Sequence, residues 1–191
     1  MVVVIPCHDE PDLVGARERL ANCEPPLGQA EVIVVINSSE KNSAEVALQN
    51  QHTLSQTTNW LAGRGNHWLP IHLLHLPDLP HRHAGVGQAR KSGMDEALRR
   101  LADVAQAEDG LLVCYDADCR CSANYFTGIE SHFTARPTAP GCSIHFEHPL
   151  DANEWTGLGF GGAAPSQGEF DGIAAYELHL RYHVRAQKFI G

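Results

Sequence analysis

The sequence predicts an α/β fold in which a doubly wound, mainly parallel sheet carries helices on both faces. Three observations predict it. Apolar runs with no internal charge recur at residues 2–5, 31–36 and 111–115, as strands buried on both faces require. Segments with apolar residues at helical spacing separate the strands, most clearly over residues 87–107. Proline pairs at Pro25 and Pro26 and at Pro77 and Pro80 mark joints between them. The resulting order, β-α-β-α-β-α-β, is that of a doubly wound sheet.

Each element has its own signal. Residues 2–5 are a β-branched run closed by Pro6. Asp9, Glu10, Pro11 and Asp12 supply a helix start, with acids in its first turn and proline near its first position. Leu13, Ala16 and Leu20 give that helix one apolar face, and Pro25-Pro26 ends it. The second strand, 31–36, runs into a polar turn at Asn37, Ser38 and Ser39. A helix over 43–55 turns Ala47 and Leu54 inward, and 69–76 is the third strand. In the helix over 87–107, Met94, Leu98, Leu101 and Ala105 form the apolar face, while Arg99, Arg100 and Asp103 point away. The fourth strand covers 111–115.

After Asp118 the pattern changes. We expect a helix over 124–133, a loop punctuated by Pro137 and Pro140, and a strand over 142–146. The glycine-rich stretch 152–172, with Trp155 and Phe160, reads as a loop, either over a site or as a surface insertion. Ile173, Tyr176, Leu180 and Val184 mark a final helix with Arg181 and Arg185 on its polar side. Residues 1–191 are expected to form one domain.

Composition narrows the function. The 14 Lys and Arg against 23 Asp and Glu give a formal charge of −9, with no basic stripe for nucleic acid and little attraction to an anionic membrane. No stretch approaches the length of a spanning helix, and Met1-Val2-Val3-Val4-Ile5-Pro6 lacks the marks of a secretory signal, so a cytoplasmic protein is expected. A chain of 191 residues can bury a core without staples, so its 6 cysteines are expected reduced, Cys7 and Cys114 serving as small hydrophobes within strands. His72, His75, His81 and His83 cluster between Trp68 and His83. Solvated loop histidines are the default reading; a zinc site with Cys119 and Cys121 is the alternative, against which the Cys-x-Cys spacing counts.

The chemistry lies at the end of the fourth strand, where Tyr115 is followed by Asp116, Ala117 and Asp118. Ligands of open α/β sheets bind beyond the carboxyl ends of strands. Two hard oxygen donors placed there suit Mg²⁺ or Mn²⁺, and such an ion suits a diphosphate. Upstream, Gly85-Val86-Gly87-Gln88-Ala89-Arg90-Lys91-Ser92 imitates two phosphate loops but puts Arg90 where each needs glycine. It reads either as a helix N-terminus offering Arg90 and Lys91 to a diphosphate, or as an ordinary helix with two exposed cations.

Taken together, Ile5-Pro6-Cys7-His8-Asp9-Glu10, Val34-Val35-Ile36-Asn37-Ser38-Ser39, the Gly85 to Gly93 segment and Asp116-Ala117-Asp118 resemble the nucleotide-sugar half of a family 2 glycosyltransferase of the GT-A fold. The resemblance covers roughly the first 130 residues. It implies a nucleotide-sugar-binding half over 1–130 and a partial acceptor-side region over 131–191. It places Pro6, His8, Glu10, Asn37, Arg90, Asp116 and Ala117 in the nucleotide-sugar site, with Asp116 and Asp118 on the metal. His8 stands where the family has an aromatic residue near the base. Asn37 replaces the base-reading carboxylate, and an amide both donates and accepts where a carboxylate only accepts.

The function so implied is metal-dependent transfer of a sugar from a nucleotide diphosphate to an unknown glycan or small-molecule acceptor, with Mn²⁺ or Mg²⁺ as cofactor. The family's downstream acidic base motif is not found. Glu147, Asp151, Glu154, Glu169, Asp171 and Glu177 are available, none in a matching context, so the catalytic residue is unassigned. The chain stops at Gly191 soon after its last predicted helix, which leads us to expect a piece of a longer transferase. Two rivals stand beside this reading: a non-catalytic nucleotide-sugar-binding module, and a sugar-nucleotide nucleotidyltransferase. The second would want a glycine-rich, arginine-bearing loop after the first strand, which Cys7 to Pro11 is not.

Overall fold

A computed structural model describes residues 1–65, 67–104, 108–157 and 164–187, with 178–187 described by backbone alone. It divides into two compact units, Met1–Pro137 and Thr138–Gly191. In the first, β1 (Val2–Cys7), β2 (Glu31–Ser39), β3 (Ile71–Leu79) and β4 (Leu112–Cys114) pair in parallel in the order β3-β2-β1-β4. Helices cover both faces, as expected. Val3, Ile5 and Cys7 point to one face, where α1 (Leu13–Ala21), α2 (Ala44–Gly63) and α4 (Tyr125–Ala135) pack. Val2 and Val4 point to the other, against α3 (Val86–Asp103). Each of these valine and isoleucine side chains contributes about 1.5–3 kcal/mol by leaving water.

β1, β2 and β3 run further than their apolar stretches, whereas β4, predicted over 111–115, is confined to Leu112–Cys114. Pro6 does not close β1; it pairs with Val35 inside the strand. The hydrogen bonds show why. Val2 N–H donates to Leu111 and Val4 C=O accepts from Tyr115, so the even residues of β1 face β4. The N–H that proline lacks therefore falls just where β4 has ended, and no ladder bond is lost. Likewise the predicted turn at Asn37, Ser38 and Ser39 is strand, since Asn37 and Ser39 find partners in Leu76 and Leu79. Pro77 lies inside β3, which an edge strand tolerates, and Asp78 takes up the adjacent irregularity at φ 58°. His72 and His75 accordingly stand on a strand rather than in a loop. β4 is the other edge, which leaves Cys114 exposed instead of packed.

The helices are shifted in phase or extent. Leu13, Ala16 and Leu20 are buried as predicted, but α1 starts later. Asp12 caps it, Oδ1 accepting from Gly15 N–H at 3.2 Å, and Asp9, Glu10 and Pro11 precede it. It ends at Ala21, ahead of Pro25. α2 buries Asn50, Thr53 and Thr57, with Ala47 exposed and Leu54 half-buried. α3 turns in its small residues Ala89, Gly93 and Ala97 together with Leu101, which is buried as predicted, while Met94 and Leu98 are exposed. A Cβ on Gly93 would stand 2.3 Å from Val4 Cγ1 and 2.9 Å from Val35 Cγ2, so glycine sets how closely α3 approaches the sheet. Arg100 does not point away; it bonds Glu31 at 3.1 Å and Glu96 at 2.9 Å. Ala105 lies outside the described residues.

The second unit holds α5 (Ala152–Gly157) and α6 (Gln167–Gln187). No strand forms over 142–146, where every residue is exposed and none has a pairing partner. Part of the predicted glycine-rich loop is helix. Asp151 caps α5, accepting from Asn153 and Glu154 N–H, and at the start of α6 the Glu169 carboxylate reaches back to accept from Ser166 N–H and Oγ. Phe160, the chain end at Gly191 and the side chains of Leu180, Arg181, Val184 and Arg185 lie outside the described residues.

Because Gly93 meets branched valines, Gly93→Val is expected to lower unfolding free energy by about 2 kcal/mol in a urea titration. Gly87→Ala on the same helix has nothing within 4 Å of its new methyl. It should be neutral or stabilising, by up to about 1 kcal/mol.

Candidate functional site

The carboxyl ends of β1, β2 and β4 and the first turns of α3 border an open cleft of about 270 Å³. It lies where strand order reverses: β1, β2 and β3 step one way across the sheet, and β4 returns to the other side of β1. Loops diverge at such a point and leave a crevice.

β4 supplies the carboxylates. Ala117, 6% exposed, packs into the core and so anchors the triplet, while Asp116 and Asp118 on either side line the cleft. Asp116 Oδ1 accepts from Arg90 Nη2 across it. Asp118 is exposed. Of the two cations predicted for a diphosphate, only Arg90 joins the cleft; Lys91 turns outward to Asp95, its partner one turn on.

β1 and β2 supply the remaining walls. Pro6, Cys7, His8 and Glu10 come from β1 and its loop, and Val86 from the start of α3. Burial, with Glu10 nearby, pushes the Cys7 thiol up to about 12, so it is protonated at neutral pH and no nucleophile. His8 Nδ1 is bonded to Asn37 O at 2.9 Å, which fixes the ring over the end of β2. Asn37 is 1% exposed, yet among the described residues neither its Oδ1 nor its Nδ2 has a hydrogen-bond partner. An unpaired buried amide costs on the order of 1–3 kcal/mol per group, and a lining position is where a ligand could complete it.

Residues missed in the sequence hold these walls in place. Asn50 of α2, 2% exposed, donates to Asn37 O at 3.0 Å and accepts from Asp9 N–H at 2.9 Å. Thr53 Oγ1 donates to Glu10 O at 3.0 Å. Together they hold the β1 loop against β2, with Asp9 at φ 51°. The signal was available: Asn50, Thr53 and Thr57 recur at helical spacing as a polar stripe. On the other side, Arg120 donates to Asp12, joining the loop after β4 to the start of α1. Gly15 permits this, since a Cβ there would lie 2.5 Å from Arg120 Nη2.

The structure thus brings Pro6, His8, Glu10, Asn37, Arg90, Asp116, Ala117 and Asp118 around one cleft. Among the described residues no group of three or more His, Cys, Asp and Glu is arranged to hold a metal, so the clustered histidines form no zinc site there. His72 instead meets Glu31 at 3.1 Å. Two carboxylates are nevertheless the donor set of an ion shared with phosphates and water, and Asp116 and Asp118 fit that description. The candidate bases all have partners: Asp151, Glu154 and Glu169 bond nearby backbone N–H groups, Asp171 bonds Gln167, Glu147 bonds His145, and Glu177 bonds the distant His148 at 2.6 Å. Among the described residues no helix is long and apolar enough to cross a membrane.

No protein-family model matches the chain, and no curated protein matches it. Among solved structures it is similar to the crystal structure of S. aureus TarS 1–349, at 17% identity and a TM-score of 0.46, over 78% of this chain and 41% of that one. The same protein in complex with UDP-GlcNAc aligns at 15% identity and a TM-score of 0.44, over 76% and 37%. The chain therefore spans less than half the length of either.

Asn50→Ala removes the two bonds by which α2 links the β1 loop to β2. It is expected to cost about 2 kcal/mol in denaturant unfolding and to speed amide exchange at Asp9.

Proposed function

We propose that this chain binds a nucleoside-diphosphate sugar together with Mn²⁺ or Mg²⁺, and is a metal-dependent glycosyltransferase or the donor-binding part of one. One observation carries the reading: Asp116 and Asp118 face Arg90 across the cleft at the point where strand order reverses. Loss of a nucleoside diphosphate places negative charge on its terminal phosphate oxygen, and cationic groups aimed there stabilise the transition state most. A divalent ion held by Asp118 and Asp116 would supply Lewis-acid neutralisation of that charge.

The chain's own groups divide the remaining work. Arg90, held at the cleft by Asp116, can turn its guanidinium to the phosphates once a cation competes for that carboxylate. The unpaired amide of Asn37 offers a donor and an acceptor side by side, which suits the edge of a nucleobase. His8, fixed by Asn37 O, presents a flat ring for the base to lie against. The resemblance in the motifs gives the same residues the same tasks.

Calorimetric titration of UDP and of GDP, with and without Mn²⁺, tests this reading. Metal-dependent binding of one of them is expected, and Asp118→Asn should weaken it at least about tenfold, a difference of 1.4 kcal/mol. Binding that ignores both the metal and the Asp118→Asn substitution would overturn it. Release of free sugar when the donor is incubated alone would separate a transferase centre from a binding module.

A further inference from the structure

The loop after Asp118 is docked on the two ends of α1 by residues that do not line the cleft. Arg120, its side chain 5% exposed, donates to Asp12. Glu24 N–H donates to Ala123 O at 2.8 Å. Between these contacts Cys23 and Cys121, 98 positions apart in the chain, bring their Sγ atoms to 3.6 Å. Cys23 Sγ also lies 3.3 Å from Arg19 O and 3.5 Å from Ser122 O. Among the described residues no other pair of cysteine sulfurs is in contact.

We propose that Cys23 and Cys121 are a reversible redox-modification site, at which a peroxide or a small disulfide joins the two thiols and clamps the carboxylate-bearing loop to α1. The inference rests on the geometry of this loop and stands whether or not the cleft takes a sugar nucleotide. The environment divides the roles. The Cys121 thiol is half-buried and drawn below its ordinary range, chiefly by the hydrogen bond from Cys23 and then by Tyr115, Arg19 and Arg120, with burial opposing. Cys23 is buried and shifted up, so it keeps its proton. Cys121 is also more exposed than Cys23, which is 5% exposed, and is the sulfur an oxidant reaches first, so it is the attacking sulfur and Cys23 the resolving one.

With a peroxide the steps balance. Cys121 thiolate attacks one oxygen, the O–O bond breaks, and the departing hydroxide is protonated to water, leaving a sulfenic acid. Cys23 sulfur attacks the Cys121 sulfur, the S–O bond breaks as S–S forms, and the Cys23 proton leaves with that hydroxide as a second water. Two electrons pass from the sulfurs to the peroxide. Closing 3.6 Å to a bond of about 2.05 Å draws Cys121 toward α1, three residues from Asp118.

The test treats the folded full chain with hydrogen peroxide and maps its disulfides. Trypsin cuts after Arg19 and Arg120, and a glutamate-specific protease, blocked at Glu24 by Pro25, cuts after Glu31 and Glu130, so residues 20–31 and 121–130 separate Cys23 and Cys121 from every other cysteine. Linkage of these two peptides, reversed by dithiothreitol, is expected. A rise in melting temperature of at least about 5 °C on oxidation should accompany it and be absent from Cys23→Ser and Cys121→Ser. A link between Cys119 and Cys121, links between chains, or oxidation of Cys121 to its sulfinic acid with Cys23 still reduced would overturn the proposal.

Discussion

Burial of β1 on both faces and along both edges is the constraint on which the rest of the structure depends. A strand so placed can carry no polar side chain along its length, so residues 2–5 are all branched and apolar. Polar chemistry is displaced to where the strand leaves the sheet. Because β2 and β4 flank β1 in register, three strands release their loops at one level, and the cleft is the gap between loops that step in opposite directions. Close approach of α3 through Gly93 is part of the same constraint, since it brings Arg90 within reach of Asp116.

Loops at a sheet edge are positioned only as well as their backbone groups are satisfied. Here two polar braces do that work from either side. Asn50 and Thr53 bond the backbone of Asp9, Glu10 and Asn37, and the Arg120–Asp12 pair ties the loop after β4 to the start of α1. What the braces leave unsatisfied is then informative. Asn37 is held by its carbonyl while its side-chain amide faces the cleft unpaired, so the backbone is settled and the side chain is available.

Much of the first unit was legible because parallel strands buried on both faces must be uniformly apolar, and such runs cannot be confused with amphipathic surface. Strand order of the βαβ type and right-handed crossovers then put the ends of β1, β2 and β4 together. Asp116 and Asp118 could be named for the same reason, since they follow an apolar run, whereas Pro6, His8, Glu10, Asn37 and Arg90 were assigned to the site through the resemblance in the motifs. Helix phase was less legible. Met94 and Leu98 suggested one face of α3, but close approach at Val4 and Val35 favoured small residues, so Ala89, Gly93 and Ala97 turned inward alongside Leu101. In α2 a polar stripe won over Ala47, because its partners were backbone groups that no local pattern displays.

In the first unit, local sequence determined the kinds of element, their order, and the placement of Asp116 and Asp118 at a strand end, since these follow from side-chain polarity and chain direction. It could not say that Pro6 and Asn37 lie within strands, that residues 142–146 pair with nothing, or that Cys23 meets Cys121. Those outcomes depend on partners distant in the chain. A strand exists only where another strand offers its N–H and C=O groups, and a side-chain contact only where packing brings two segments together. Tertiary structure alone decided them.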